Sequence, residues 1–322
     1  MNDWKPTAAL ETLRARAELL ADIRAFFRAR QVMEVDTPVL SHCAVSDPFI
    51  DSIVANYSPT PGAEVAPLYL QTSPEYAMKR LLAAGSGAIY QLSKVFRNGE
   101  YGRHHNPEFT MLEWYRPGFT DVELMDEVAD LVASVLNLQQ IQRVTYSDLF
   151  FEYLGFRPEA ASLAQLKAAT GKHIEIQLDD QDPDTWLNLL MSHVIEPQLK
   201  RRGAVFVTEY PASQAALAQI RENENGILVA TRFELFVEGI ELANGYYELT
   251  DPVEQKRRLE ADQAQRAAMG LPQRPLDFRL VDALAAGMPD CAGVALGFDR
   301  LLLMQTNKSS LAEVLPFDFA RA

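Results

Sequence analysis

FRNGEYGRHHNPEF, residues 96–109, and GVALGFDR, residues 293–300, decide how this chain is read. Each holds an arginine, Arg97 or Arg300, beside glycines and polar residues, with apolar runs of strand character next to it. A guanidinium is planar, permanently charged and able to grip phosphate or carboxylate with two parallel hydrogen bonds. Two such residues far apart in sequence imply a pocket built for a polyphosphate.

The sequence around the first stretch alternates. Ile89, Gln91, Ser93, Val95 and Arg97 fall on one face of a strand, and Tyr90, Leu92, Lys94 and Phe96 on the other. Gly99, Gly102 and Pro107 mark a polar loop, after which FTMLEWYR starts a second strand at Phe109. Its period of two sets Phe109, Met111, Glu113 and Tyr115 against Thr110, Leu112 and Trp114. An antiparallel pair would turn Arg97, Phe109 and Tyr115 towards one cavity, although aromatic residues in strands also serve plain packing.

A third segment, FELFVEGIELANGYYEL at 233–249, spaces Glu234, Glu241 and Glu248 by seven. An odd step along one uninterrupted strand puts successive carboxylates on opposite faces. Gly239 and the Asn244–Gly245 pair would supply the bulge or turn that brings them together. Carboxylates near a triphosphate pocket suit a divalent ion, since magnesium takes a few carboxylates plus phosphate oxygens, or an ammonium group. Beyond them Asp251, Pro252 and Gly270 mark the cap, first position and end of a helix.

Composition sets the class. A chain of 322 residues, 48% hydrophobic and 23% charged, is that of a globular protein. No apolar run approaches the ~20 residues of a membrane span, and no signal pattern opens the chain. Cys43 and Cys291 are isolated, which argues against a disulfide framework and fits a cytoplasmic location. The net charge of −14 disfavours a broad nucleic-acid surface. Leu10, Leu13, Ala17, Leu20, Ile23 and Phe27 recur at helical spacing, and QVMEVDTPVL at 31–40 follows as a short extended run.

These segments resemble the motifs of class II aminoacyl-tRNA synthetases. The opening helix and strand are similar to motif 1, the 96–116 hairpin to motif 2 and GVALGFDR to motif 3. Together with SPEYAMKRLL (73–82) and VFVTEYPA (205–212), they resemble the lysyl subgroup over nearly the whole chain. No segment matches an anticodon-binding barrel, and IELANGYYELTD and EFTMLEWYRP look closest to the elongation factor P–lysine ligase family. The resemblance implies an α+β fold, an antiparallel sheet flanked by helices, as a single catalytic domain over 1–322. Residues 146–200 are the least legible part, a possible helical insertion between motifs 2 and 3. It implies a homodimer through the first helix, with ATP as substrate and Mg2+ as metal. The implied activity is transfer of activated lysine, preferably (R)-β-lysine, to a lysine of elongation factor P, with no tRNA acceptor.

Residue roles follow from the same resemblance. Arg97 and Arg300 are the expected catalytic residues, Arg97 holding the amino-acid carboxylate against the α-phosphate. Phe109 and Arg300 would sandwich adenine, and Asn98, Glu100 and Asn106 lie in the loop around the nucleotide. Leu242 and Gly297 would border it, and Glu241 would contact it. Glu234 and Glu241 are the expected magnesium ligands. Glu248 with Tyr115 would hold the ε-ammonium, and Glu75 beside Ser73 the second amino group. Three positions depart from the synthetase pattern. Gly99 stands where motif 2 has a glutamate, with Glu100 next door. His104 stands where the loop usually has an arginine, and Ala295 replaces a motif 3 glycine, which would favour a shifted amino group. A truncated lysyl-tRNA synthetase and a catalytically silent regulatory paralogue are the alternative readings.

Overall fold

The structure, a computed structural model, describes residues 4–322. The chain divides into two compact units, Met1–Gly118 with Thr250–Ala322, and Phe119–Leu249. The first unit begins with α1 (Leu10–Ala29), which buries Leu19, Ile23 and Phe27 at helical spacing. The short β1 (Met33–Glu34) follows. β2 (Leu40–Ser41), β3 (Val54–Tyr57) and β4 (Ala66–Leu70) form a small antiparallel sheet in the order β2-β4-β3. Next come α2 (Glu75–Ala83), β5 (Ile89–Phe96) and β6 (Glu108–Pro117). β5 and β6 are the hairpin expected from their alternation, paired from Ile89 opposite Tyr115 to Phe96 opposite Glu108.

The second unit is built from α3 (Asp121–Leu136), β7 (Gln142–Thr145), α4 (Tyr146–Leu154), α5 (Leu163–His173), α6 (Pro183–Leu190) and α7 (Glu196–Leu199), then β8 (Ala204–Pro211), β9 (Ile220–Glu222), β10 (Leu228–Val237) and β11 (Ile240–Tyr247). A capping box starts α3, where Thr120 and Glu123 satisfy each other's backbone N–H groups. A π turn at Met191–Ile195 joins α6 to α7. The stretch 146–200 is thus mainly helical, and its apolar side chains make a core of their own. Tyr146 and Phe150 stack at 4.6 Å, and Trp186, Leu190 and Ile195 pack with them against Val205 and Val207 of β8. β10 pairs antiparallel with β8, β9 and β11, and β7 lies parallel to β8.

The chain re-enters the first unit with α8 (Pro252–Ala268), capped as expected by Asp251, and α9 (Phe278–Gly287). β12 (Cys291–Gly297) and α10 (Phe298–Gln305) follow. β12 pairs antiparallel with β6, and β1 lies parallel to β5 at the other side. The two faces of this sheet are covered differently. On the Tyr90–Trp114 face, Phe27 of α1 stacks on Tyr90 at 4.3 Å and meets Trp114 edge-on at 5.3 Å. On the opposite face, Ile89 and Tyr115 pack with Met78 and Leu82 of α2 and Leu280 and Leu284 of α9. Sheets flanked by helices make the fold α+β, as expected. Among the described residues no helix is long and apolar enough to cross a membrane.

Candidate active site

The face of β5, β6 and β12 that carries Tyr115 is also the polar one. Register sets Gln91, Glu113 and Ala295 in one row across the three strands, and Ser93, Met111 and Gly297 in the next. Glu113 is almost fully buried. Its Oε1 accepts a hydrogen bond from the Tyr115 hydroxyl at 2.7 Å, and its Oε2 one from Ser73 Oγ, also at 2.7 Å. Ser73 precedes α2, and its Oγ also accepts the Glu75 N–H at 3.0 Å. The Glu75 carboxylate bonds the buried Lys79 ammonium at 2.7 Å, one helical turn away. Tyr115 and Ser73, expected to serve with Glu248 and Glu75, therefore converge on Glu113. Sequence reasoning missed this residue. The signal was present in its alternation with Phe109 and Tyr115, but an acid in a strand reads as an ordinary solvated one. The amide N and O of Gln91 and the hydroxyl of Ser93 are buried on this face without hydrogen-bond partners. Native interiors rarely leave such groups unsatisfied.

Arg97 lies just past the end of β5. Its N–H donates to Pro107 O at 2.9 Å, closing the hairpin, and Nε donates to Thr72 O at 3.4 Å. Its guanidinium lies 5.3 Å from the Phe109 ring centroid, with Nη1 3.6 Å from Glu100 Oε1. Gly99 has φ +81 and no neighbour near its Cβ position, so backbone conformation, not space, calls for glycine there. That turn sets the acid at Glu100 beside Arg97. Asn98 is tied to Asp51, its N–H to the backbone O at 2.8 Å and its Nδ2 to Oδ2 at 3.0 Å. Asp51 is in turn held by Arg274 at 2.8 Å and by the buried Arg266 of α8 at 3.0 Å. Burial pushes the Asp51 carboxyl up, but hydrogen bonds from Asn98, Arg274 and Arg266 outweigh it and hold the group below its ordinary value.

Arg300 meets the loop that follows β5. Its Nε donates to His104 O at 3.3 Å, and Nη2 lies 2.9 Å from His105 Nε2. Because a guanidinium has only donors, that nitrogen of His105 accepts and is unprotonated. Arg97 is the cation beside the Phe109 ring. Burial, then Arg103, Arg300 and His105, lower the His104 pKa. The preceding residue, Asp299, is buried and anchored by Arg16 of α1 and by the Thr110 N–H at 2.6 Å, which fixes where α10 starts. A Cβ on Gly297 would make only ordinary contact with Arg300 at 3.5 Å.

In the second unit the three acids share one face. The β10–β11 register pairs Glu234 with Asn244 and Leu235 with Ala243, then slips so that Phe236 opposes Glu241. Leu242 is the extra residue of this bulge. The slip gives Glu241 the same side as Glu234, and continued alternation through Asn244 and Tyr246 adds Glu248. Gly239 serves the turn as expected, but Asn244–Gly245 lies within paired strand. Gly245 is required for a different reason, since a Cβ there would fall within 3.0 Å of the Phe233 ring.

Glu234 and Glu241 are the expected magnesium pair. Glu234 accepts hydrogen bonds from Arg232 on Oε1 and from the Tyr210 hydroxyl at 2.6 Å on Oε2. Its pKa is raised by burial, Arg232 opposes the rise, and Glu241 adds to it. Among the described residues no group of three or more His, Cys, Asp or Glu side chains is arranged to hold a metal. Leu242 is buried in β11, and Glu248 is almost fully buried.

The sequence profile of class II tRNA synthetases (D, K and N) matches residues 2–321. A protein of Vibrio parahaemolyticus named elongation factor P–(R)-β-lysine ligase is 49% identical over 319 residues, covering 98% of each chain. Proteins of the same name from Vibrio cholerae and Pasteurella multocida are each 48% identical, over 323 and 321 residues. They cover 100% and 99% of this chain, and 99% and 98% of their own.

Proposed function

We propose, from the premise that this chain belongs to the class II tRNA synthetases (D, K and N), that it is a ligase joining lysine, preferably (R)-β-lysine, to a lysine side chain of elongation factor P. The relatives carrying that name over their whole length support the choice of reaction. ATP is the energy source proper to the family. The observation that carries the reading is the buried Glu113, bracketed by Ser73 and Tyr115, on the strand pair whose other end bears Arg97. Glu113 is an anion for an ammonium group, and Arg97 is a cation for a carboxylate. Arg97 is six residues beyond Gln91, the partner of Glu113, so about 20 Å of backbone separates the two levels at ~3.4 Å per residue. A long arginine side chain and a diamino acid would share that span.

In the proposed reaction the substrate carboxylate attacks the α-phosphate of ATP, pyrophosphate leaves and an aminoacyl adenylate forms. The acceptor lysine amine then attacks the carbonyl and AMP leaves. Arg97 steadies the charge developing at the α-phosphate, and no side chain acts as nucleophile. Phe109, Asn98, Glu100, Asn106 and Gly297 border the nucleotide. Arg300 exchanges His105 for phosphate. Ser73, Tyr115 and Glu113 hold one amino group, and Glu75 serves the other. Magnesium would come with the phosphates of ATP and neutralise their charge. A homodimer through α1 belongs to the same proposal.

The test is ATP–pyrophosphate exchange with α-lysine and β-lysine. Exchange dependent on a diamino acid is expected, with Arg97→Ala at least ~100-fold slower, the scale of losing one charge-stabilising donor. Absence of exchange with any diamino acid would favour a silent paralogue.

A further inference from the structure

The loop after β5 is tied both to itself and to the end of the chain. Gly102 and His105 exchange backbone hydrogen bonds at 3.0 and 3.4 Å at its tip. Besides Arg300, which meets His104 and His105, residues 309–321 hold it. Arg103 Nε donates to Ser309 O at 2.6 Å, and the Leu311 N–H returns to Arg103 O at 3.0 Å. The Phe319 N–H donates to Asn106 Oδ1 at 3.1 Å, and the Phe319 ring centroid lies 5.7 Å from that of Tyr101. Asn106 is 6% exposed and spends its Nδ2 on Glu108 O at 2.6 Å. Its amide is therefore a joint between loop and segment.

The segment itself is well anchored. Leu311, Val314 and Leu315 are buried, the Thr7 N–H donates to Pro316 O at 2.8 Å, and the Asp318 N–H donates to Thr7 Oγ1 at 3.1 Å. Between loop and segment is a cavity of about 190 Å³, lined among others by Tyr101, Arg103, Asn106, Leu311 and Asp318. The loop is thus pinned at discrete points on a fixed support, with space beneath it.

We infer that residues 309–321 act as a clasp that positions the 99–107 loop for ATP, with Phe319 and Asn106 as positioning residues. The inference rests on the proposed role of this loop in nucleotide binding. The hydrogen bonds of Ser73 and Tyr115 to Glu113 involve no residue of the segment. Loosening the clasp therefore weakens ATP and leaves the amino acid alone.

The experiment measures the Kd of a non-hydrolysable ATP analogue by calorimetry, without lysine, and then the KM values for ATP and lysine in exchange. The proteins are wild type, Phe319→Ala, Phe319→Tyr and a chain ending at Phe317. Phe319→Ala is expected to raise the ATP Kd and KM ~5-fold and the shortened chain ~20-fold or more. Phe319→Tyr, which keeps the ring against Tyr101, should restore binding, and the KM for lysine should not move. Unchanged ATP affinity in both Phe319→Ala and the shortened chain overturns the clasp. An equal rise in both KM values in Phe319→Ala also overturns it, because it assigns the segment to stability alone. Wild type that binds the analogue yet gives no exchange would instead sink the proposed function, while the variants still decide the clasp through Kd.

Discussion

Glu113 accepts a hydrogen bond on each oxygen, from Tyr115 and Ser73. Glu113→Gln preserves the volume and removes the charge. Hydrogen bonds to a charged group are worth about 1.5–3 kcal/mol, so the KM for lysine should rise ~10- to 150-fold while the KM for ATP stays put. A matching loss for ATP would make Glu113 a structural residue. Ala295 stands opposite Glu113 in the register, so its methyl group borders that carboxylate. Ala295→Gly should increase the use of α-lysine relative to β-lysine, read as a ratio of kcat/KM values. An unchanged ratio removes Ala295 from selectivity. At this scale the sequence reveals charges more readily than their partners. Arg97 and Arg300 stand out because a guanidinium beside glycines is chemically conspicuous. The distant partners of Glu113 and Arg300 do not, because Ser73 and His105 arrive by packing that no local spacing encodes.

At the scale of elements, glycine and charge pin the architecture at two points. Gly245 lies opposite Phe233, whose ring is fully buried and meets Phe206 edge-on at 5.7 Å. With no room for the ring to yield, Gly245→Ala should cost about 1–3 kcal/mol of stability, measured by denaturant unfolding. A neutral result would mean that β11 relaxes more freely than its register indicates. Asp51 joins α8, through Arg266, to the residue after Arg97. Its folded pKa is depressed, so its contribution is complete above the unfolded value of ~3.9 and is lost as pH falls through the folded one. Asp51→Asn should destabilise by about 1–3 kcal/mol at pH 7, less than a fully buried pair because the side chain is 27% exposed. The gap to wild type should narrow below about pH 4. A gap as wide at pH 3 as at pH 7 would trace it to something other than the carboxylate. The β5–β6 hairpin and the cap of α8 were legible because alternation and Asp-Pro are local signals. The bulge at Leu242 was not, since a register slip is decided between strands. Asp51 sits in a loop without pattern, so nothing in the sequence distinguishes it from a solvated acid.

For the whole molecule, family membership was readable because separated segments agreed, from SPEYAMKRLL at 73–82 to GVALGFDR at 293–300. The grouping of Met1–Gly118 with Thr250–Ala322 was not, since periodicity says which face an element buries but not which distant element it meets. The property that belongs to the molecule as a whole is its charge. With 44 acidic residues against 30 basic ones, the net charge is −14. Association with tRNA draws on cationic contacts that release counterions from the phosphates, and a polyanion gains little from that. The proposed acceptor, a lysine amine on a folded protein, needs no such gain. The chain, ATP and labelled lysine or β-lysine should therefore label elongation factor P and leave bulk tRNA unlabelled. Low salt is the severe condition, because it favours every contact to nucleic acid that the surface can make. If label appears on tRNA at low salt and none on the factor, the acceptor is RNA and the truncated-synthetase reading replaces the proposed one.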